Sequence, residues 1–352
     1  MKKKMRVMTE KPLNAETPLE NLRTWITDNA VFFKRNQGQF MDAPVNLSDW
    51  RLNVEGLVKK KLSLAFEEIN RLPKVEVTDT LECSGNSRSL LSDKAPGNPW
   101  TIGGVGNAVW GGLWLKDVLA IAGLKDDACH VSFEGLDKPL GSAGIKFIRS
   151  IPIDKAISST LLAYEMNGQP LPIEHGYPLR ALALGWTGAN CVKWVHRIEV
   201  LDRPFEGFFM DNVYRVFQKG ADPRSGEVVE GIQVKSIIVE PAKNHVFSAG
   251  IVPIRGAAYA GEARIEKVEV SVDNGATWHP ADLIGLEQPY AWRHWEFLWE
   301  VKSGGDYTIM ARATDTNGRL QPETAHWNAL GYGNNGVREH AVTVCIDPKQ
   351  LP

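Results

Sequence analysis

The first candidate for chemistry is Cys83. It stands in the run Glu82-Cys83-Ser84-Gly85-Asn86, where the alternating residues of a strand give way to turn-forming residues. A cysteine thiolate is a soft metal ligand, and the nearby Arg88 could supply the positive charge that favours the thiolate. The sequence therefore indicates a metal ligand at a strand end. The alternative is a buried structural cysteine at the same place.

The second candidate is the segment from Leu171 to Arg180. In this segment His175 and Arg180 are framed by Pro172 and Pro178. Two prolines stiffen a loop, and the guanidinium fork of an arginine binds phosphate oxygens in a bidentate manner. The segment therefore indicates a site for a phosphorylated cofactor. The alternative is a loop arginine that is solvated or paired with a carboxylate.

A third group of candidates combines arginines with aromatic residues that lie far apart in the sequence. Its members are Arg35, Arg88, Trp100, Tyr214 and Arg293. A small oxyanion substrate needs several arginines in a pocket that excludes water, so these residues are candidates for a substrate site. Spacing alone does not bring them together, and Arg293 could equally lie over indole rings on a strand of a β-sandwich.

The elements that must position these residues differ between the two halves of the chain. Up to about residue 230, strand-like alternation over 75–81 is mixed with helical spacing over 115–122. A short helix is predicted after Ser63, ending before Pro73. The rest of the chain shows short strands and turns such as 273–275, which are typical of an immunoglobulin-like β-sandwich. The predicted fold class is α+β, a mixed α/β domain followed by that sandwich.

Composition and charge restrict the class of protein. Hydrophobic residues make up 43% of the 352 residues and charged residues 23%, with a net charge of −2. These values give no electrostatic reason to expect nucleic acid or an anionic membrane as a partner. No membrane span or signal segment is apparent, so we expect a cytoplasmic protein, or a periplasmic one if an export signal has been removed. The four cysteines form no CxxC pair and no CxxCH, which argues against a zinc ribbon or a covalent haem.

Taken together, these segments resemble the sulfite oxidase family, which uses a molybdenum–molybdopterin cofactor. The match runs from about Phe32 to Val344. Its motifs, in the family's order, are FKRN (33–36), ECSGN (82–86), FEGLD (133–137), LLAYEMNGQP (161–170), HGYPLR (175–180), VKW (192–194), AWR (291–293) and WN (327–328). Each motif is short, so the specificity of the match lies in their order and spacing.

The resemblance implies a domain organisation and a set of site residues. The domains would be an N-terminal extension (1–30), a molybdopterin-binding catalytic domain (31–230) and an Ig-like dimerisation domain (231–352) that usually forms a homodimer. Cys83 would be the single protein ligand of molybdenum. The residues lining the pterin and its phosphate would be Phe33, Lys34, Arg35, Asn36, Gln37, Asp137, His175, Arg180, Cys191, Val192 and Lys193. The substrate pocket would comprise Arg35, Arg88, Trp100, Tyr214 and Arg293.

The activity implied by the resemblance is oxidation of sulfite to sulfate by oxygen-atom transfer, with electrons passed to an external acceptor such as a cytochrome or dioxygen. No haem is expected, because the chain leaves no room for the haem domain fused to animal members. Other activities of the same fold stay open, namely those of a sulfane-sulfur dehydrogenase, a nitrate reductase or a sulfoxide reductase. A non-catalytic Ig-like binding module is the remaining alternative, and it predicts no molybdenum.

The sequence departs from the family pattern at two places in the site. Gln37 stands where animal members have histidine, but backbone groups can make part of that contact, so we expect cofactor binding to survive. Asn212-Val213 precedes Tyr214 where many members have Arg-Asp. The setting of Tyr214, and proton movement through it, is therefore open.

Overall fold

Strands make up most of the regular structure, as the alternating patterns predict. The computed structural model describes residues 4–38, 45–247, 250–301 and 303–346. The strands of the first half are β1 (Arg6–Glu10), β2 (Leu13–Glu16), β3 (Leu52–Gly56), β4 (Leu62–Leu64), β5 (Val75–Glu82), β6 (Val105–Trp114), β7 (His130–Gly135), β8 (Ile148–Pro152), β9 (Thr160–Met166), β10 (Gln169–Pro170), β11 (Arg180–Ala183), β12 (Val195–Leu201), β13 (Arg215–Val216) and β14 (Glu227–Val228). Those of the second half are β15 (Lys235–Glu240), β16 (Val246–Phe247), β17 (Gly250–Tyr259), β18 (Ile265–Ser271), β19 (His279–Ile284), β20 (Arg293–Val301), β21 (Gly305–Asp315) and β22 (Val342–Ile346).

The helices are short and belong to the first half. They are α1 (Phe66–Ile69), α2 (Leu115–Ala122), α3 (Ile153–Ser159) and α4 (Phe208–Asp211). Helix α2 ends before Gly123, whose φ of 68° lies in the left-handed region, so the predicted C-cap is confirmed. Helix α1 is a single turn and shorter than predicted, because Leu64 is drawn into β4 and pairs with Leu52 of β3. No helix among the described residues is long and apolar enough to span a membrane.

Two five-stranded sheets, the first antiparallel and the second mixed, form most of the first half. One has the order β10-β9-β6-β5, with β11 also paired to β9, and the other has the order β4-β3-β12-β7-β8. Between them lies a core of fully buried apolar side chains that includes Leu52, Leu113, Leu162 and Ile198. Strand β5 ends at Glu82, immediately before Cys83. This sheet therefore delivers Cys83 to its edge, as the sequence predicts.

The second half is the predicted β-sandwich. Its strands pair in the continuous order β15-β17-β20-β19-β18-β21-β22-β16. The sheet bends back on itself, so that β15 packs on β21. Its core includes Ile254, Val270, Trp295 and Ile309, each with no solvent exposure. The predicted turn at 273–275 joins β18 to β19, which pair in antiparallel fashion. The strand pattern of this half is thereby confirmed.

The segment before residue 35 packs against both halves. The hairpin of β1 and β2 forms a bridge between Ala15 and Lys34, and the Thr27 amide donates to the Asn107 carbonyl. Leu22 is fully buried in a cluster with Trp292 of the sandwich. The predicted N-terminal extension thus contributes to the junction of the two halves. The domain boundaries themselves stay a prediction.

A buried ion pair connects β5 to the sandwich. Glu82 Oε1 accepts hydrogen bonds from Lys235 Nζ at 2.6 Å, Tyr259 Oη at 2.9 Å and Asn86 Nδ2 at 2.9 Å. Lys235 opens β15 and Tyr259 closes β17, so two sandwich strands fix the residue next to Cys83. A buried pair of this kind is stable only when its remaining polar groups are satisfied, and here two further donors satisfy Glu82.

We expect Lys235→Met to lower the free energy of unfolding by about 3–5 kcal/mol, because it leaves the Glu82 carboxylate buried without its cation. The double variant Glu82→Gln/Lys235→Met removes both charges and should recover most of that loss. Urea denaturation followed by tryptophan fluorescence compares the wild type and the two variants. Equal losses in the single and double variants would show that the two charges do not stabilise each other.

Candidate active site

A cavity brings together segments that are far apart in the sequence. Its lining consists of Phe33, Arg35, Asn36, Gln37, Leu81, Cys83, Ser84, Asp137, Phe147, Glu174, His175, Arg180, Gly188, Ala189, Cys191, Lys193, Trp194 and Tyr214. The cavity contains about 700 Å³ of empty space, its open mouth included. The predicted site residues that it unites are Phe33, Arg35, Asn36, Gln37, Cys83, Asp137, His175, Arg180, Cys191, Lys193 and Tyr214.

Cys83 is fixed by backbone hydrogen bonds at the end of β5. Its amide donates to the Gly104 carbonyl at 2.8 Å, and its carbonyl accepts from the Asn86 amide at 2.8 Å. The Asn86 side chain accepts from the Gly104 amide at 2.9 Å, so the turn after Cys83 is tied to the neighbouring segment. The thiol belongs to the cavity lining although the residue is only 8% exposed. A cysteine held in this way can present its sulfur to a bound metal.

Two arginines set the electrostatics of the Cys83 thiol. Burial raises its pKa, whereas the charges of Arg35 and Arg88 act in the opposite direction. Arg88 is buried and lies close to the backbone of Gly85, where an added Cβ would come within 2.6 Å of Nη2. Glycine is thus required for this close approach. The two guanidinium groups favour the thiolate, which is the form that binds metals.

The N-terminal hairpin places Arg35 and Asn36. The Asn14 side chain accepts from the Asn36 amide at 2.8 Å and from Arg35 Nη1 at 3.1 Å. Asn36 Nδ2 donates to the Leu13 carbonyl at 2.7 Å, and Asn36 Oδ1 accepts from Lys193 Nζ. The hairpin of β1 and β2, together with Lys193, therefore fixes this wall of the cavity.

A second, adjoining wall is buried and contains the cationic residues Arg180 and Lys193. Burial lowers the pKa of Arg180 to about 10, and it lowers the pKa of His175 and of Lys193 well below their ordinary values. Arg180 Nη1 donates to the His175 carbonyl at 3.0 Å, and the guanidinium lies 5.3 Å from the centre of the Trp110 ring. Asp137 lines the same cavity, and burial raises the pKa of its carboxyl to about 6. The wall carries more positive than negative groups.

This wall fits the phosphorylated cofactor that the sequence predicts. His175 Nε2 and Arg180 Nε are buried and have no hydrogen-bond partner among the described residues. An unsatisfied buried donor is unfavourable, and a bound anion with several acceptor oxygens would satisfy Arg180 Nε, and His175 Nε2 when that nitrogen carries a proton. The donor set of His175, Arg180 and Lys193 is therefore suited to a phosphate group attached to a larger ligand.

Tyr214 has a defined setting. Its φ is 57°, and its hydroxyl accepts a hydrogen bond from Gln37 Nε2 at 2.5 Å. The Arg149 guanidinium lies 5.4 Å from the centre of its ring, and the Tyr332 ring stacks on it with centroids 5.3 Å apart. One departure from the family pattern, Gln37, thus lies beside the tyrosine that follows the other departure, Asn212-Val213. Gln37 and Tyr214 contact each other directly.

Five predicted site residues lie outside the cavity lining. Lys34 pairs with Glu174 at 3.5 Å, and the Val192 carbonyl accepts from the Ala181 amide at 2.9 Å. Trp100 is fully buried and meets the Phe33 ring edge-on. These three support residues that do line the cavity, because they lie next to them in the chain or in space.

Arg88 and Arg293 differ in their relation to the cavity. Arg88 lies near Cys83 but does not line the cavity, and its Nε donates to the Leu330 carbonyl at 2.9 Å. Arg293 lies on β20 of the sandwich, and its Nη1 donates to the Gly285 carbonyl at 2.7 Å. The structure therefore places Arg88 near the thiol, whereas Arg293 lies against a loop of the sandwich.

Arg149 and Tyr332 were not among the predicted site residues. Arg149 is fully buried on β8 and donates to the Asn190 side chain at 2.8 Å. Nothing in its local sequence distinguishes it from a strand residue. Tyr332 follows the WN motif at 327–328 by a few residues, and this proximity was the available signal.

The loop after Cys83 is also held by the end of the chain. Ser87 has a φ of 67°, in the left-handed region that is unfavourable for a residue with a side chain. Its hydroxyl lies 2.8 Å from His340 Nε2, and its carbonyl accepts from Asn334 Nδ2 at 2.8 Å. His340 Nδ1 lies 2.7 Å from the Gly336 carbonyl, so the neutral ring donates through Nδ1 and accepts from Ser87.

Comparison with known proteins identifies both halves. Residues 40–209 match the family described as oxidoreductase molybdopterin binding domain, and residues 227–345 match the Mo-co oxidoreductase dimerisation domain. Sulfite oxidase of Gallus gallus is 37% identical over 350 residues, covering 93% of this chain and 75% of that protein. Mitochondrial sulfite oxidase of Mus musculus is 37% identical, covering 98% of this chain and 66% of that protein.

A solved structure agrees with these matches. The sulfane dehydrogenase of Paracoccus pantotrophus has a TM-score of 0.83 and 27% identity to this chain. The alignment covers 97% of this chain and 86% of that one. The predicted fold class, an α+β molybdopterin-binding domain followed by an Ig-like sandwich, is thereby confirmed.

His340 should make the stability depend on pH. Burial lowers its pKa to about 3, from an ordinary value of 6.5 in the unfolded chain. As the pH falls below 6.5, His340 is protonated in the unfolded state but not in the folded state. The free energy of unfolding therefore decreases, by about 2 kcal/mol at pH 5. Urea denaturation at about pH 7 and pH 5 measures this loss.

The variant His340→Gln is the control for this pH dependence. It should be less stable than the wild type at neutral pH, but it should lose about 2 kcal/mol less between the two pH values. A loss of the same size in both proteins would mean that His340 is not the group that titrates.

Proposed function

This chain belongs to the family of molybdopterin-binding oxidoreductases of the sulfite oxidase type, and from this membership we propose that it oxidises sulfite to sulfate and passes the electrons to a separate acceptor. The observation that supports the proposal most is the position of Cys83. Its thiol lines a cavity with the charges of Arg35 and Arg88 acting on it, and a buried cationic wall lines the same cavity. Such a site can hold an anionic cofactor together with an anionic substrate.

The cationic wall would hold the cofactor. His175, Arg180 and Lys193 would bind its phosphate, and the Asp137 carboxyl would accept hydrogen bonds from the pterin. Cys83 would be the protein ligand of molybdenum, because its sulfur lines the same cavity. When bound, molybdenum–molybdopterin supplies the two-electron chemistry and the oxygen-atom transfer. The chain supplies position and charge.

Sulfite is a small oxyanion, and Arg35 and Arg88 would bind it by charge-assisted hydrogen bonds. Gln37 donates to Tyr214 Oη, so the phenol proton of Tyr214 is left to be donated to another acceptor. We infer that Tyr214 donates this proton to an oxygen of the bound anion. Trp100 would exclude water by fixing Phe33. Arg293 stays only a predicted residue of the substrate pocket. Its guanidinium donates to the Gly285 carbonyl of the sandwich.

The partners follow from the same membership. The second half matches a dimerisation domain, which supports the predicted homodimer. The acceptor, a cytochrome or dioxygen, stays a prediction, as does the cytoplasmic location. The alternative of a non-catalytic binding module is not retained, because both halves match domains of an oxidoreductase.

A second candidate function is oxidation of sulfane sulfur. The likeness to the sulfane dehydrogenase of Paracoccus pantotrophus over 97% of this chain favours it. Both substrates present an electron-rich sulfur to the metal. They differ in charge and size, because sulfite is a free dianion whereas a sulfane sulfur is carried by a larger molecule. A site built from arginine charges favours the free dianion.

A comparison of substrates tests the proposed function. We expect kcat/KM for sulfite to exceed that for glutathione trisulfide, whose sulfane sulfur is carried by a larger molecule, by at least about 100-fold, because the arginine charges favour the compact dianion. Ferricyanide serves as the acceptor in both assays, and reduction of nitrate and of methionine sulfoxide is measured on the same sample. Faster turnover of the trisulfide, nitrate or the sulfoxide would contradict the proposal.

Replacement of Cys83 tests the metal ligand. We expect Cys83→Ser to fold, to lose sulfite turnover by at least about 100-fold and to lose the visible absorption of the metal–thiolate bond, because oxygen is a harder ligand than sulfur. Cys129→Ser is the control, since Cys129 is a partly buried free cysteine that lies outside the cavity lining. The control should keep its turnover and spectrum. Full activity in Cys83→Ser would exclude this thiol as the ligand.

A further inference from the structure

The stretch 327–335 of the second half lies against the loop that carries Cys83. It runs between β21 and the end of the chain and belongs to none of the strands. The Gly333 amide donates to the Ser84 carbonyl at 2.9 Å, and the Leu330 carbonyl accepts from Arg88 Nε at 2.9 Å. Gly331 has a φ of 62°, and a Cβ there would come within 3.0 Å of Arg88 Cγ. This stretch therefore approaches the cysteine loop too closely for a larger residue at Gly331.

We propose that Tyr332, within this stretch, is a positioning residue that orients Arg88 and Tyr214 for the oxyanion substrate. The inference rests on the proposed function, because it assigns the substrate to these two side chains. It makes the sandwich half a contributor to substrate affinity.

The Tyr332 ring contacts both side chains. It stacks on Tyr214 with ring centroids 5.3 Å apart and planes inclined by 21°. The Arg88 Cζ atom lies 5.2 Å from the centre of the Tyr332 ring, within the range of a cation–π contact. The charges of Arg88 and Arg35 both act on the Tyr332 hydroxyl. The Tyr332 ring thus contacts both Tyr214, the proposed proton donor, and Arg88, a cation proposed to bind the anion.

Tyr332 is itself held rigidly. Asn328 Oδ1 accepts from the Tyr332 amide at 3.0 Å, and Asn328 Nδ2 donates to the Tyr332 carbonyl at 2.8 Å. Asn328 is 2% exposed and Tyr332 is 8% exposed, so solvent does not compete for these contacts. The WN motif at 327–328 therefore has a structural role here, because its asparagine fixes the backbone of the residue that contacts the site.

The guanidinium of Arg88 is fixed in orientation by three contacts. Its Nε binds the Leu330 carbonyl, its Nη1 binds the Asn98 carbonyl at 3.1 Å, and its face lies over the Tyr332 ring. Nη2 makes no hydrogen bond to any residue that the structure describes. An arginine held in one orientation loses less entropy when it binds an anion, so removal of the ring should weaken anion binding more than it slows the reaction.

The test compares Tyr332→Leu with Tyr332→Phe in the molybdenum-loaded enzyme. The Leu variant lacks the ring, whereas the Phe variant keeps the ring and lacks only the hydroxyl. We expect Tyr332→Leu to raise KM for sulfite and the Kd for sulfate by about tenfold, with kcat within about twofold of the wild type. Tyr332→Phe should resemble the wild type. Sulfate binding is measured by calorimetry, so this readout is independent of turnover.

Two outcomes would overturn the inference. One is an unchanged Kd for sulfate in Tyr332→Leu, and the other is an equal loss in Tyr332→Phe, which would assign the effect to the hydroxyl. Molybdenum content and the thermal midpoint verify that each variant is folded, and Tyr332→Met replaces Tyr332→Leu if the latter does not fold. A wild type that binds sulfate but does not turn over sulfite would contradict the proposed function while leaving the binding comparison decisive for Tyr332.

Discussion

Burial of several cationic side chains around one cavity is the constraint on which this structure depends. Arg180 and Lys193 are removed from water and burial lowers the pKa of both, whereas the buried His175 is neutral near pH 7 because its pKa lies well below 6.5. Isolated buried charges are unfavourable, so a fold that gathers them requires an anion to share the site. The unsatisfied nitrogens of His175 and Arg180 point to the same need. Cofactor binding and folding of this wall are therefore coupled, because an anion that binds only the folded protein stabilises it.

The second constraint is the position of Cys83, which depends on both halves of the molecule. Glu82 on one side of it binds Lys235 and Tyr259 of the sandwich, and Ser87 on the other side contacts His340. The sandwich thus supports the loop that carries Cys83, in addition to matching a dimerisation domain. A metal ligand on a loop needs such support, because small displacements of a ligand weaken the metal site.

The sequence predicted those parts of the site that consist of local motifs. The strand and turn around Cys83, the helix at 115–122 and the hairpin at 273–275 follow from short-range patterns, and the structure has all three. The contact of Gln37 with Tyr214 joins residues from distant segments, so no local pattern could predict it.

Arg149 and Tyr332 were missed for the same reason, since their role depends on tertiary packing around Tyr214. Arg293 was assigned to the pocket by motif alone, and its observed contact is with Gly285.

The proposed cofactor site is tested most directly by the molybdenum content of the purified protein. This content is determined by mass spectrometry on protein from cells that make the cofactor. We expect about one molybdenum per chain, released together with a pterin on denaturation. The reason is that the cationic wall and the Cys83 thiol would together hold the cofactor. Folded protein without molybdenum would contradict the proposal that the cavity holds molybdenum–molybdopterin. The cationic cavity would then have to serve another anion.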